Sequence, residues 1–282
     1  MMKSKGLGLK KSFAVLLCVA AALGVAGSAQ AALILTDGGL GVYDTTNNVT
    51  WTSNANLMAT QAASYSGGAS AFVSAVIADS GGVIHDTPNF WDPSGTYTLS
   101  ANDFYTSYGS TDWWGAQAWV HYLDVTNYGG SNQWALPTTV DTVGSFGYPN
   151  GGVGNPAQSS SQLAQLFYGG LGQVADSSIT TAHNANYSLF SNVQSYIYWS
   201  GTEYFANPNY AWIFFTYYGS QVYDSKNYGF DYALAVSPGQ VCAVPAVPEP
   251  GAAWLLGGGL LLLRLMGFRR RKAETSALRS FE

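Results

Sequence analysis

Asp112-Trp113-Trp114-Gly115-Ala116-Gln117-Ala118-Trp119-Val120-His121-Tyr122-Leu123-Asp124 is the stretch from which the rest of this sequence is read. Asp112 carries a short oxygen-bearing side chain, suited to accept a hydrogen bond from a free N–H in the first turn of a helix. At 100° per residue, Trp113, Ala116, Trp119, Val120 and Leu123 fall within about one third of the circumference. The spacing predicts a helix over Asp112 to Asp124 with one buried stripe holding two tryptophans. Asn127-Tyr128-Gly129-Gly130 then closes it as a turn.

Outward from this helix the pattern is mixed. Ala69 to Ala78 is a small apolar helix, ended by Asp79-Ser80-Gly81-Gly82. Ser161 to Tyr168 is a second short one, with Leu163, Leu166 and Phe167 on one face and Gly169-Gly170 to stop it. A Gly/Asn/Pro loop, Gly144 to Asn155, lies before it. Val49 to Ser53 has strand character. From Tyr196 on, Tyr196 to Gly201, Tyr210 to Tyr217, Gln221 to Asp224 and Tyr232 to Val236 are aromatic-rich strands, with Gly219-Ser220 offering a tight turn. The expected class is α+β: two or three helices packed on a twisted, mostly antiparallel sheet.

The charge is placed unevenly. Ten of the 11 Lys and Arg lie in residues 3–11 and 264–279. Between residues 32 and 241, thirteen acidic residues face Lys226 alone, about −12 in all. Such a surface repels phosphate, which excludes nucleic-acid binding by this body, and it repels anionic lipid and sulfated polysaccharide unless cations intervene.

The two ends read as addresses. Residues 1–31 form a secretory signal, with Lys3, Lys5, Lys10 and Lys11 as the positive region, Phe13 to Val25 as the apolar region and Ala29-Gln30-Ala31 as the cleavage site. An uncleaved anchor is the other reading, against which the short apolar run counts. Cys18 leaves with the signal and Cys242 stays alone, as an intermolecular-pairing thiol or an inert one. Residues 242–250 are a linker ending in Pro248-Glu249-Pro250. Residues 251–268 are apolar except Arg264 and long enough to span a membrane. Arg269, Arg270, Arg271 and Lys272 head a basic tail, residues 269–282, that holds the cytoplasmic side.

This three-part end resembles the PEP-CTERM sorting signal of Gram-negative bacteria. The resemblance implies an exosortase as partner, cutting near Pro248-Glu249-Pro250 and releasing the body from the inner membrane to the cell surface or beyond, in species that make exopolysaccharide. A plain membrane anchor is the alternative.

Within the body, several phrases occur in order: Gly41-Val42-Tyr43-Asp44, Asn48-Val49-Thr50-Trp51, Asn54-Ala55-Asn56, Trp134-Ala135-Leu136-Pro137-Thr138, Leu163 to Gly172, Tyr198-Trp199-Ser200-Gly201-Thr202-Glu203, and Ala235-Val236-Ser237-Pro238-Gly239. The set resembles the Lcl C-terminal domain family over most of residues 38–241. That implies a C-type-lectin-like fold, related also to formylglycine-generating enzymes, with Trp51, Trp113, Trp119, Trp134, Trp199 and Trp212 in or near the core. The family's namesake engages sulfated polysaccharide. Ala135, Gln162 and Ser237 stand where the family pattern has Arg, Glu and Arg. Their joint loss suggests a shared polar network neutralised together, in which a restored Ala135→Arg alone would be costly if buried.

Chemistry-bearing patterns are sparse. His85, His121 and His183 lie in unlike contexts and read as surface residues; no Gly-x-Ser-x-Gly elbow occurs, and Gly151-Gly152-Val153-Gly154 lacks the strand and the Lys of a phosphate loop. Calcium has a weak case. Asp224 and Asp231 cluster oxygens with Ser225 and Asn227, although Lys226 among them argues against a cation, and Asn207-Pro208-Asn209 resembles the carboxamide loops of lectins. An Asn/Ser/Thr/Gly-rich insertion, Thr87 to Ser110, carries Trp91, Tyr97, Phe104, Tyr105 and Tyr108. Trp91, Tyr97 and Tyr105 are the glycan-contact expectation, a self-packed loop the alternative. The expected function is a non-enzymatic exported surface or matrix protein with no resident cofactor and exopolysaccharide as a candidate partner. A neutral-glycan-binding adhesin is the second reading, and an extracytoplasmic enzyme a remote third.

Overall fold

The computed structural model describes residues 32–148 and 161–241. Residues 1–31, read above as a secretory signal, lie outside the described residues. Ala29, Ala31, Pro248-Glu249-Pro250, the apolar stretch 251–268 and the basic cluster Arg269 to Lys272 also lie outside them. No helix among the described residues is long and apolar enough to cross a membrane.

The body is mixed α and β. In chain order it runs β1 (Leu33–Leu35), β2 (Gly41–Asp44), β3 (Val49–Thr52), α1 (Leu57–Ser64), α2 (Gly68–Asp79), β4 (Val83–His85), β5 (Thr96–Thr98), β6 (Phe104–Tyr105), β7 (Ser110–Thr111) and α3 (Trp113–Val125). Then follow α4 (Gln162–Ala164), which continues as a π-helical turn over Gln165–Gly170, and β8 (Ile197–Glu203), β9 (Tyr210–Phe215), β10 (Ser220–Ser225), β11 (Asp231–Tyr232) and β12 (Val236–Pro238). Three sheets result, ordered β1-β2-β3-β12, β10-β9-β8-β11-β7-β6 and β4-β5. Every pairing is antiparallel except β11 with β8.

β8 is the axis of the molecule, and the reason is its period of two. Ile197 and Trp199 enter one apolar core with α1, α2 and α3, whereas Tyr198 enters a second core with Trp51, Phe167 and Leu234. On β9, Ile213 and Phe214 divide in the same way. A strand covered on both faces reads as a continuous apolar run, which is why Tyr196 to Gly201 and Tyr210 to Tyr217 stand out in the sequence.

Asp112 caps α3 as the sequence indicates, its carboxylate accepting from Gly115 N at 2.7 Å. The single stripe is corrected. Trp114, Gly115, Ala118 and Tyr122 are buried as well, because α3 packs against α2, β4, β7 and β8 on different sides. Only Gln117, His121, Asp124 and Val125 keep contact with solvent along its length. Two further differences follow from tertiary context. Leu57–Ser64 forms a helix that the sequence reading passes over. Tyr232 to Val236 is not one strand: Ala233, Leu234 and Ala235 carry the chain from the second sheet to the first. The six tryptophans expected in the core are all buried.

Candidate functional site

Lys226 follows β10, and its backbone is fixed on both sides: its N–H donates to Asn209 O at 3.0 Å, and its carbonyl accepts from Trp113 N at 2.9 Å. This aims the side chain inward, where Nζ lies 4.5 Å from the Trp113 ring centroid. The residue has no solvent exposure. Nζ donates to Asp86 Oδ2 at 2.7 Å and sits 3.4 Å from Glu203 Oε1. Asp86 Oδ2 also accepts from Trp114 Nε1 and Asn89 Nδ2, each at 3.0 Å. Glu203 Oε1 accepts from Thr87 N at 3.1 Å, and Asn209 Oδ1 from Phe90 N at 2.6 Å. The body's one lysine thus ties the start of the Thr87 to Ser110 insertion to the sheet and to α3. The Asn207-Pro208-Asn209 loop is engaged in the same task, with Asn207 Oδ1 accepting from Asn209 N.

A second set of acids is enclosed without a cation. Asp103 closes a capping box with Ser100 and accepts from Tyr97 OH at 3.1 Å; it is hydrogen-bonded to Asp112. Burial raises both carboxyls, and the Asp103 charge raises Asp112 further. Asp231 has no solvent exposure, and neither carboxylate oxygen has a hydrogen-bond partner. Burial, helped by the Asp224 charge, pushes its carboxyl up to about 8. Burial also raises Asp224, whose Oδ1 accepts from its neighbour Ser225 N.

The calcium expectation finds Asp224 on β10 and Asp231 inside β11, with Lys226 turned away to Asp86. Among the described residues no group of three or more His, Cys, Asp and Glu gathers as a metal-binding set. Calcium ordinarily takes six to eight oxygens.

The three rings of the glycan expectation separate. Tyr97 is not a surface platform: it lies flat on Trp114, centroids 3.9 Å apart, and is packed against the α3 core. Trp91 is exposed and meets Phe90 edge-on. Phe104 is buried. Tyr105 is 38% exposed and is joined to an aromatic row that the sequence reading missed. Its centroid is 5.1 Å from Phe230, which is 47% exposed, and Phe230 is 5.4 Å from Tyr228. Tyr228 hydrogen-bonds Tyr196, and Tyr196 packs edge-on to Tyr232. Gly229 makes the row possible, since a Cβ there would collide with the Tyr105 ring. The ring lies against bare backbone and is held in place. The visible signal was Asn227-Tyr228-Gly229-Phe230, aromatic on both sides of a glycine. It begins 117 residues after the insertion ends at Ser110 and reads as an ordinary turn.

His85, His121 and His183 are exposed, as expected. His85 and His121 face one open cleft of about 430 Å³, together with Ser80, Gln117, Asp124 and Ala135. Ala135 and Ser237 are brought together as the shared-network idea requires: Ala135 pairs with Val236, and Ser237 Oγ lies 2.7 Å from Ser131 Oγ. Ala135 is nevertheless exposed, and Gln162 is engaged elsewhere, its Oε1 accepting from Thr138 N at 2.7 Å. The burial on which the cost of Ala135→Arg depends is absent.

No family model matches the chain, and no curated protein or solved structure matches it either.

Proposed function

We propose that the protein is an exported, non-catalytic surface or matrix protein whose body holds neutral polysaccharide. The observation that carries this reading is the row Tyr105, Phe230, Tyr228 and Tyr196: exposed, with the Tyr105 ring set against Gly229, and accompanied by phenolic hydroxyls and the exposed Asn227. Flat apolar faces bordered by fixed polar groups suit the C–H faces and hydroxyls of pyranose rings. A charge of about −12 and a lysine without exposure favour an uncharged chain over a sulfated one. The signal-like residues 1–31 and the PEP-CTERM-like end, with the exosortase that it implies, support the exported setting.

The test is affinity electrophoresis of the purified protein through gels holding neutral polysaccharides. Retardation that survives ~1 M salt and falls at least tenfold in affinity on Tyr105→Ala plus Phe230→Ala is the expected result, the salt insensitivity marking contacts that are not ionic. Migration unaffected by every neutral polymer, or equal retardation of the double variant, removes the reading. Retention on heparin at ~0.15 M salt without divalent ions contradicts its charge argument.

A further inference from the structure

We propose that Lys226 and Asp86 are joined by an intramolecular amide bond, a covalent staple between the residue that leads into the Thr87 to Ser110 insertion and the sheet. The reacting groups already touch: Nζ is 2.7 Å from Asp86 Oδ2, and neither side chain has any exposure. A carboxylate, Glu203, is 3.4 Å from the same nitrogen. The indole rings of Trp113 and Trp114 wall the cluster.

These are the parts that a condensation needs. The indole rings of Trp113 and Trp114 and the enclosure of both side chains keep bulk water from the carbonyl carbon. Contact at hydrogen-bond distance places the nitrogen close to an attack position on Cγ. As the nitrogen adds, negative charge gathers on Oδ2, where Trp114 Nε1–H and Asn89 Nδ2–H already converge. Oδ1 has no hydrogen-bond partner and is the oxygen that departs. Glu203 takes two protons from Nζ in turn, one before and one after the N–C bond forms, and passes each to that oxygen. One N–C bond forms and one C–O bond breaks. Of the three ammonium hydrogens one stays on the amide and two leave with Oδ1 as water, so no oxidant, reductant or activating group is consumed.

The position of the link gives it a purpose. It closes a loop across 140 positions of sequence, and residues 32–241 contain no cysteine, so a disulfide cannot do the same for this exported body. Nothing in this inference depends on what the aromatic row binds.

The experiment is peptide mapping of the full chain purified in its native state and then denatured. Chymotrypsin is the choice, because Lys226 is the one tryptic position between residues 12 and 263. The expected product is a branched peptide joining the Asp86 and Lys226 segments, lighter than its two linear parts together by one water (~18 Da). Asp86→Ala and Glu203→Gln yield the linear peptides instead. Glu203→Gln keeps an oxygen for Thr87 N–H, so its fold is checked by circular dichroism against the wild type. A wild-type digest with Lys226 only in a linear, full-mass peptide overturns the proposal. A branched peptide formed undiminished in Glu203→Gln overturns the role of Glu203.

Discussion

Asp86 and Asp231 are both enclosed carboxyls beside the same β10–β11 connection, and the protein treats them in opposite ways. Asp86 receives Lys226 Nζ, an indole N–H and an amide N–H on one oxygen. Asp231, five residues after that lysine, receives nothing on either oxygen. The enclosed carboxyl of the first is met in place by the amine, the pair from which the proposed amide forms. The second avoids the cost of an enclosed charge by keeping a proton, which is what a carboxyl pushed up to about 8 does at neutral pH. One region is therefore a fixed tie between the insertion, the sheet and α3. The other is a point of weakness that opens as the solution becomes basic.

The sharpest way to break this comparison is to remove the lysine. Lys226→Met removes both the amide link and the cation from which it forms, leaving Asp86 and the partly covered Glu203 without a partner, and urea unfolding at pH 7 should lose at least about 3–5 kcal/mol. Adding Asp86→Asn should return part of that loss through coupling between contacting residues. A single variant within ~1 kcal/mol of the wild type would mean that the enclosed pair matters no more than an exposed one.

The second measurement sharpens the other side. An unfolded Asp releases its proton near pH ~4, whereas folded Asp231 holds its own to about 8. Between those values the folded state binds more protons than the unfolded state, so its stability falls as pH rises. The slope approaches 1.4 kcal/mol per pH unit, a loss of several kcal/mol across the window. The raised carboxyls of Asp103 and Asp112 act with the same sign. Asp231→Asn should flatten the decline between pH 5 and pH 8 and be the more stable protein at pH 8. An unchanged slope in that variant would show that Asp231 does not titrate in this range.

The smallest effect is expected at Ala135. Its side chain is exposed at the cleft shared by His85 and His121, so Ala135→Arg should change stability by no more than ~0.5 kcal/mol. Gln162 is engaged with Thr138, so Gln162→Glu should add to it without coupling. A coupling above ~1 kcal/mol in a double-mutant cycle would restore the idea of one shared network. It would place a third kind of polar cluster beside the two compared above.

Local order was legible because it depends on neighbours a few residues apart. Asp112 announces the start of α3, and β8 and β9 declare themselves by aromatic-rich runs, whereas Gly169-Gly170, expected to stop the short helix at Tyr168, are the last two residues of its π-helical turn. The class, helices with a mostly antiparallel sheet, and the burial of Trp113 and Trp119 followed from such signals; the burial of Trp51, Trp134, Trp199 and Trp212 was expected from the family resemblance alone. Leu57–Ser64 escaped because Leu57, Met58 and Ala62 alone face inward, too few for a clear period.

The sequence by itself determined that the body is acidic, holds one lysine and no cysteine, and is rich in tyrosine and tryptophan. Those are properties of composition, and no fold alters them. Only the tertiary structure decided what they are for. It brought Lys226 to Asp86 and Glu203, set Tyr97 against the core and Tyr105 at the surface, and placed Phe230 beside a ring 125 residues away. Each of these depends on which segments a sheet and a helix bring together across long separations. The periodicity of a segment reports which of its own faces is buried, and carries no information about which distant side chain will meet it there.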